Sequence, residues 1–396
     1  MKFYRIFNQP IVDLGADGDV AQKSGVATLS PSYEYLFRNF GASYKSPFGT
    51  LTEFMQFDGM VPSYEDGPSH GDGEDSMAFF GCNNLPDGRV VLVPFEHDYV
   101  STFNPSIDSF SDDYYYSNGF FIAFAGGALM HDGRVAFAPY GHYYVGLFDP
   151  DTDTYSNGPS KGIVEAGSFI GCCVLPDKRV VFAPNAHSQI GLFNPKFDTY
   201  SNGPSHGQGA NAFAGCVSVD DGTVVFAPYN SSCVGLFDYS SNAYSNGAAH
   251  GKGNEAFSGT CLTRDNIVVL VPHNSPNVGL YDPELDEYND GPLHGEGSAA
   301  FASGCTLPDG RILLSPRKST YVGIYDPFKN EYIRGPVHGA NIGVNGAFCS
   351  ACLMPDGRAL LPPLEHSAIG IIDFVFSPFD PIEPVEATLH PILNKF

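Results

Sequence analysis

The chain contains no tryptophan, only six methionines, and only 20 lysines and arginines against 44 aspartates and glutamates in 396 residues. The resulting formal charge of -24 repels phosphate backbones and anionic headgroups, so nucleic acid and charged membrane surfaces are not expected partners. No apolar run approaches the ~20 residues that cross a bilayer as a helix, so membrane insertion is not expected. The opening stretch, MKFYRIFNQPIVDLGADGD, lacks the apolar core that marks a cleaved secretory signal. The nine cysteines are an odd number and sit beside small residues in apolar runs, without a small-domain disulfide framework. They suit a reducing compartment, or assembly in one. A virion or cytoplasmic location is the expectation.

Catalytic signatures are also missing. There is no G-x-S-x-G elbow, no P-loop, no H-E-x-x-H and no G-x-G-x-x-G after a strand. Cys349 and Cys352 spell C-x-x-C, but no second ligand pair is suitably spaced, and positions i and i+3 of a strand point to opposite faces. The expectation is no catalytic residue, no metal and no cofactor.

What is present is repetition. FAPYGHYYVGLFDPDTDTYSNGPSKG (137–162) is nearly rewritten as FAPNAHSQIGLFNPKFDTYSNGPSHG (182–207). The aspartates of a recurring D-G type turn are Asp87, Asp132, Asp177, Asp221, Asp265, Asp309 and Asp356, spaced 45, 45, 44, 44, 44 and 47 residues apart. Each copy holds four runs of four to eight residues, rich in β-branched and aromatic types and separated by Gly, Pro, Asn and Asp. That is strand grammar. Four strands in ~44 residues make one propeller blade, which buries both faces only by stacking on its neighbours.

The fold class is therefore all-β: a seven-bladed β-propeller of four-stranded blades, with an N-terminal strand closing the last blade. The closure follows from phase. LTEFMQFDGMVPSYEDGPSHG (51–71) resembles only the second half of a copy, and the final copy lacks its fourth strand. An eight-bladed ring is the alternative, because FMQFD (54–58) reads as an extra third strand and GVATLSPSYEYLF (25–37) as a degenerate pair ahead of it. The expected organisation is an N-terminal arm or docking segment (1–50), the propeller (51–374) and a Pro-rich tail (375–396).

The units YVGLFDPDTDTYSNGP, VGLYDPELDEYNDGP and YVGIYDPFKNEYIRGP, with the LPDGRVV turn, resemble kelch repeats of the galactose-oxidase type. The resemblance covers about Leu51 to Phe374 and implies a kelch-like propeller. This chain departs from that pattern in two ways: its second strands end in FAP or LVP instead of a Gly pair, and Tyr155, Tyr200, Tyr244, Tyr288 and Tyr332 replace the kelch tryptophan. A looser similarity links it to propeller modules of phage and viral particles.

Ten of twelve histidines fall in loops that a propeller places on one face. His97, His142, His187, His273 and His366 lie in or beside the loop between second and third strands. His70, His206, His250, His294 and His338 lie in the connection from one blade to the next. Arg317 and Lys318 replace the histidine-type loop in one copy. These twelve residues are the candidate binding face. A ring of imidazoles could hold a metal or sense pH; the simpler reading is that each recurs to satisfy a backbone group. The opposite face collects aspartates in turns, where Asp commonly bonds its own backbone.

Since nothing catalytic breaks the repeat symmetry, the expected function is a non-enzymatic module presenting loops to neighbouring protein subunits or a glycan, as part of a larger assembly such as a phage virion. Two alternatives stand beside it. One is a glycan-active lyase or hydrolase working at the histidine-bearing mouth, and the other is an intracellular kelch-like adaptor.

Overall fold

The computed structural model describes residues 45–46, 49–50, 60–74, 76–116, 122–162, 166–340 and 342–376. A short hairpin, β1 (Lys45–Ser46) with β2 (Gly49–Thr50), stands apart from the rest. All other described strands form seven four-stranded antiparallel sheets, and the innermost strands contact one another in a closed cycle. The protein is a seven-bladed β-propeller. The segments 25–37 and 54–58 that suggested an eighth blade lie outside the described residues, as do most of the arm and the tail beyond 376.

Blade 1 comprises β4 (Phe79–Asn84), β5 (Val90–Pro94), β6 (Tyr99–Asn104) and β7 (Ser109–Tyr115), in spatial order. Blades 2 to 6 span 124–160, 169–205, 213–249, 257–293 and 301–337. Blade 7 is split between the two ends of the ring: β28 (Cys352–Leu353), β29 (Ala359–Leu361) and β30 (Ala368–Phe376) are completed by β3 (Met60–Ser69). β3 pairs with β30 from Met60↔Phe376 to Ser69↔Ala368. The N-terminal strand thus closes the last blade.

Each blade's second strand, such as VVFAP in β13 (Val180–Pro184), is buried at every position because both faces meet a neighbouring blade. The fourth strand, such as TYSNGPS in β15 (Thr199–Ser205), is mostly exposed at the rim. The core is accordingly divided into seven clusters, each shared by two neighbouring blades. The seventh joins Phe79, Val90 and Phe103 of blade 1 to Leu360, Ile369 and Ile371 of blade 7. Fully burying each such side chain contributes about 1.5–3 kcal/mol. Closure of the ring therefore rests on apolar burial as well as on the β3–β30 ladder.

At the axis the inner strands approach so closely that only glycine fits. A Cβ on Gly171, at φ +85°, would lie 2.8 Å from the Cα of Gly215. The inner strands surround a channel of about 140 Å³, walled by residues such as Phe80, Ile170, Ser258, Ser303 and Cys349. All nine cysteines are free thiols; the Sγ atoms of Cys173 and Cys216 are 3.6 Å apart, a contact and not a bond. No helix among the described residues is long and apolar enough to cross a membrane.

On the face opposite the loops, the turn aspartates fold onto their own backbone. The carboxylates of Asp87, Asp177, Asp221, Asp309 and Asp356 each accept the N–H two residues on, at 2.8–3.0 Å. That leaves them acting as turn formers.

Candidate functional site

The connections between blades and the loops between second and third strands emerge together on one face. One residue position in the connections is occupied by Tyr116, Lys161, His206, His250, His294, His338 and His70. The imidazoles share one geometry. Nε2 donates to a carbonyl in the second-to-third strand loop of the same blade: His206 to His187, His250 to Ser231, His294 to Ser275, His338 to Ser319 and His70 to His366, at 2.7–2.9 Å. Nδ1 accepts an N–H two residues on, at 3.1–3.2 Å in His206, His250, His294 and His338 and at 3.4 Å in His70. Tyr116 makes the same link through its hydroxyl, to His97 at 2.9 Å. These groups are buried, and burial holds all five imidazoles below the ordinary histidine pKa. They are neutral latches between connection and loop.

The carbonyls they seize belong to a second column, made of His97, His142, His187, Ser231, Ser275, Ser319 and His366. Here histidine and serine do one job. Nδ1 of His142 and His187 donates to the carbonyl two residues on, at 3.1 and 2.8 Å, and the Oγ atoms of Ser231, Ser275 and Ser319 do so at 2.7 Å. In the first and last blades the ring reaches further. Nε2 of His97 meets Asp112 and Nε2 of His366 meets Asp66, both at 2.9 Å.

Symmetry breaks at a third position, the residue directly after the proline that ends each second strand or, in blade 7, follows it: Phe95, Tyr140, Asn185, Tyr229, His273, Arg317 and Leu364 in ring order. Phe95 rests on Phe80 of the channel wall with ring centroids 5.2 Å apart, which sets this column beside the channel. Tyr140 rests on Phe95 with ring centroids 5.2 Å apart, and Tyr229 lies 5.5 Å from the ring of His273. Nδ1 of His273 donates to the Phe301 carbonyl at 3.4 Å, which leaves Nε2 with the lone pair. Burial and the neighbouring charges of Arg317 and Lys318 push His273 down to about 4. Burial raises the phenols of Tyr140 and Tyr229, and Arg317 pulls against it at both. The same charge reaches Cys349 in the channel wall. One cation therefore acts on a base, two phenols and the channel.

Glu255 adds a carboxylate beside Tyr229 and accepts from Asn274 Nδ2 at 3.1 Å. Its own N–H goes to Asn230 Oδ1 at 3.0 Å, which holds Glu255 in the left-handed region at φ +52°. Arg317 is positioned by the connection before blade 7. Its Nε donates to the Asn345 carbonyl at 2.7 Å, and its own carbonyl accepts from Ala347 N–H at 2.8 Å. Gly346, at φ +111°, is required there, since a Cβ would fall 2.4 Å from Arg317 Cγ. Glu365 braces this connection by accepting from the N–H groups of Asn345 and Gly346 at 2.7 and 3.3 Å. Glu96, partly buried nearby, has its carboxyl raised by burial and by the Glu365 charge.

All twelve residues singled out from sequence lie on this one face, but they serve different ends. His273, which is buried, and Arg317 belong to the varied column beside the channel. Lys318 is exposed beside it. His142, His187, His206, His250, His294, His338 and His366 are engaged in the loop framework. His70 and His97 meet across Asp72. Sequence reasoning missed Tyr140, Tyr229, Glu255 and the bracing Glu365. The signal available was the variable residue after each FAP or LVP, in an otherwise constant frame. At this column the repeat departs from its frame with an imidazole, a guanidinium and two phenols.

No family model matches the chain, and no curated protein matches it in sequence. Solved structures do resemble it. A streptogramin B lyase aligns with a TM-score of 0.67 at 11% identity, over 79% of this chain and 98% of that one. Virginiamycin B lyase from Staphylococcus aureus, as a catalytically inactive histidine-to-alanine variant with quinupristin, aligns with a TM-score of 0.64 at 13% identity, over 79% and 100% of the two chains. The extracellular domain of a hybrid two-component system from B. thetaiotaomicron aligns with a TM-score of 0.60 at 9% identity, over 78% of this chain and 40% of that one. These likenesses establish the propeller fold, which is as far as the kelch resemblance holds. They also overturn the expectation of a non-enzymatic virion component: the similar structures include lyases.

Proposed function

We propose that the protein is an enzyme of the lyase type, acting at the axial mouth on a substrate that bears a carboxylate or ester. The observation that carries this reading is the run Tyr229, His273 and Arg317 at one register position of three consecutive blades, facing Tyr140, where other blades place Phe95 and Leu364. The likeness to lyase propellers supports the same reaction class.

In such an elimination a proton leaves the carbon beside a carbonyl, and an oxygen departs from the next carbon. His273 Nε2 takes the proton; its low pKa keeps it neutral, and so able to act, at neutral pH. Arg317 neutralises the charge that builds on the carbonyl oxygens as the C–H bond breaks. The C–O bond then breaks with its electron pair going to oxygen, which takes a proton from the phenol of Tyr229 or Tyr140. A carbon–carbon double bond remains and no water is consumed. A bound carboxylate also offsets Arg317, one of the two cations that depress His273, so the base strengthens when substrate arrives.

Glycans containing uronic acids and streptogramin B compounds such as quinupristin both fit this chemistry. The test is incubation of the full chain with a panel of both, read by the ultraviolet absorbance of a new conjugated double bond and by product mass. Elimination gives products whose masses sum to the substrate, and hydrolysis adds one water. H273A and R317A should each lower kcat/KM by about 10²-fold or more. Turnover that survives both substitutions, or no turnover on any member of the panel, would sink the proposal.

A further inference from the structure

At the seam where blade 7 meets blade 1, two histidines from non-equivalent loops converge on one carboxylate. His70 lies in the connection leaving β3, and His97 in the loop between β5 and β6. Nδ1 of His97 contacts Asp72 Oδ2, and Nδ1 of His70 lies 3.8 Å from the same oxygen. The three donor atoms all lie within 4.8 Å of one another. We propose that His70, Asp72 and His97 form a site for a divalent first-row transition-metal cation of the zinc type.

The far sides of both rings favour this assignment. A metal-bound imidazole characteristically gives its other nitrogen to a carboxylate or a backbone carbonyl, which fixes the ring and raises its donor strength. His97 Nε2 meets Asp112 Oδ1 at 2.9 Å, and that oxygen is itself held by Ser101 Oγ at 2.8 Å. His70 Nε2 donates to the His366 carbonyl at 2.9 Å. Both Nδ1 atoms are thereby turned to the same point. The two imidazole side chains are almost wholly buried, while Asp72 keeps 34% of its side-chain surface open. That opening is a path for the ion and leaves room for water ligands. Two imidazoles and one carboxylate suit Zn²⁺ and its late first-row neighbours, with positions left over for solvent.

A competing arrangement is a doubly protonated His97 held between Asp72 and Asp112. It satisfies His97 but gives no part to His70, whose Nδ1 makes the longest backbone contact of its series, 3.4 Å against 3.1–3.2 Å elsewhere. That loosened lone pair is available to an ion. The other blades show what the seam looks like without one. Between blades 3 and 4 the positions of Asp72 and His97 are Gln208 and Ser231, joined by a plain hydrogen bond of 3.3 Å. Among the described residues the donor set arises only where the ring must be closed, so a bound ion would clamp the seam.

The experiment uses the full chain stripped of metal with a chelator. Co²⁺ is added as a spectroscopic probe and Zn²⁺ is followed by thermal denaturation. The expected result is one equivalent of Co²⁺ with ligand-field absorption bands, displaced by Zn²⁺, and a Tm that rises by several degrees with Zn²⁺ concentration. The double variant H97S/D72Q installs the pair already used between blades 3 and 4. It should fold with the same circular dichroism and lose both the bands and the Tm rise. H273A should keep both. No Co²⁺ bands in the parent chain, a Tm rise undiminished in H97S/D72Q, or loss of the bands in H273A would each overturn the site. The readout does not depend on turnover, so it stands apart from the fate of the proposed lyase activity.

Discussion

His206 donates its Nε2–H to the carbonyl of His187, nineteen residues earlier, at 2.8 Å, and the same link with the same offset recurs from His250, His294 and His338. Replacing His206 with alanine leaves a buried carbonyl and a buried N–H without partners, which costs about 1–3 kcal/mol. The urea midpoint of H206A should fall at unchanged m-value. H206Y should recover much of the loss, because Tyr116 makes this bond in blade 1. Equal losses in the two variants would mean that the ring's packing, not its hydrogen bond, matters.

Stability should fall as the solution is acidified. His70, His142, His206, His250, His273, His294 and His338 are all held below their ordinary pKa, chiefly by burial. Unfolded, they bind protons near pH 6.5; folded, they do so only at lower pH. Below about 6.5 the unfolded chain therefore carries more protons, and the folded state loses ground as pH drops. A Tm that declines steadily from pH 7 towards pH 4.5 is expected. A flat profile across that interval would show that these imidazoles protonate equally well when folded.

Gly171→Ala should be among the most damaging single-methyl additions. The new Cβ meets the Gly215 backbone at 2.8 Å at a φ of +85°, so neither rotamer change nor side-chain movement relieves it. A loss of about 1–3 kcal/mol or more is expected from overpacking alone, with the left-handed backbone adding to it. Thermal denaturation beside Gly207→Ala, where nothing lies within 4 Å, separates the two contributions.

Gly346→Ala tests whether Arg317 must be held in place. Its Cβ would displace the Arg317 side chain and the loop braced by Glu365. On the lyase reading, kcat/KM should fall about 10-fold or more, and R317K should not substitute for the planar guanidinium. An unchanged kcat/KM in a well-folded Gly346→Ala chain would remove Arg317 positioning from the account.

Deleting residues 1–69 should open the ring. Without β3, strand β30 becomes an unpaired edge and the last blade loses its outer layer. A lower Tm and concentration-dependent association are expected, since free strand edges recruit other chains. A synthetic peptide spanning 58–71 should restore the Tm if the missing ladder is the cause.

Much of this architecture was legible because it depends on what recurs. The aspartate ruler marks each blade, and the half-copy at 51–71 announces the shared last blade. The axial site was not legible for the converse reason: it is made where the copies differ. In sequence, Tyr140 and Tyr229 are two of 22 tyrosines, and Glu255 is one of 44 acidic residues. Only the ring places their column around one opening with His273 and Arg317. The His70–Asp72–His97 cluster was hidden differently. Equivalent loops of different blades lie far apart, but a connection and a strand loop of adjacent blades are neighbours.

The pairing of Met60 with Phe376 has a mechanical consequence. The chain enters β3 and leaves β30 side by side, at the end of the ladder remote from the axial mouth. A force applied through these two residues would not shear the ladder, in which case its hydrogen bonds would resist together. It would peel them apart one pair at a time, from Met60↔Phe376 towards Ser69↔Ala368. The propeller is thus held together by packed seams but weak to a pull at its own join, which yields like a zipper from the side facing away from the site.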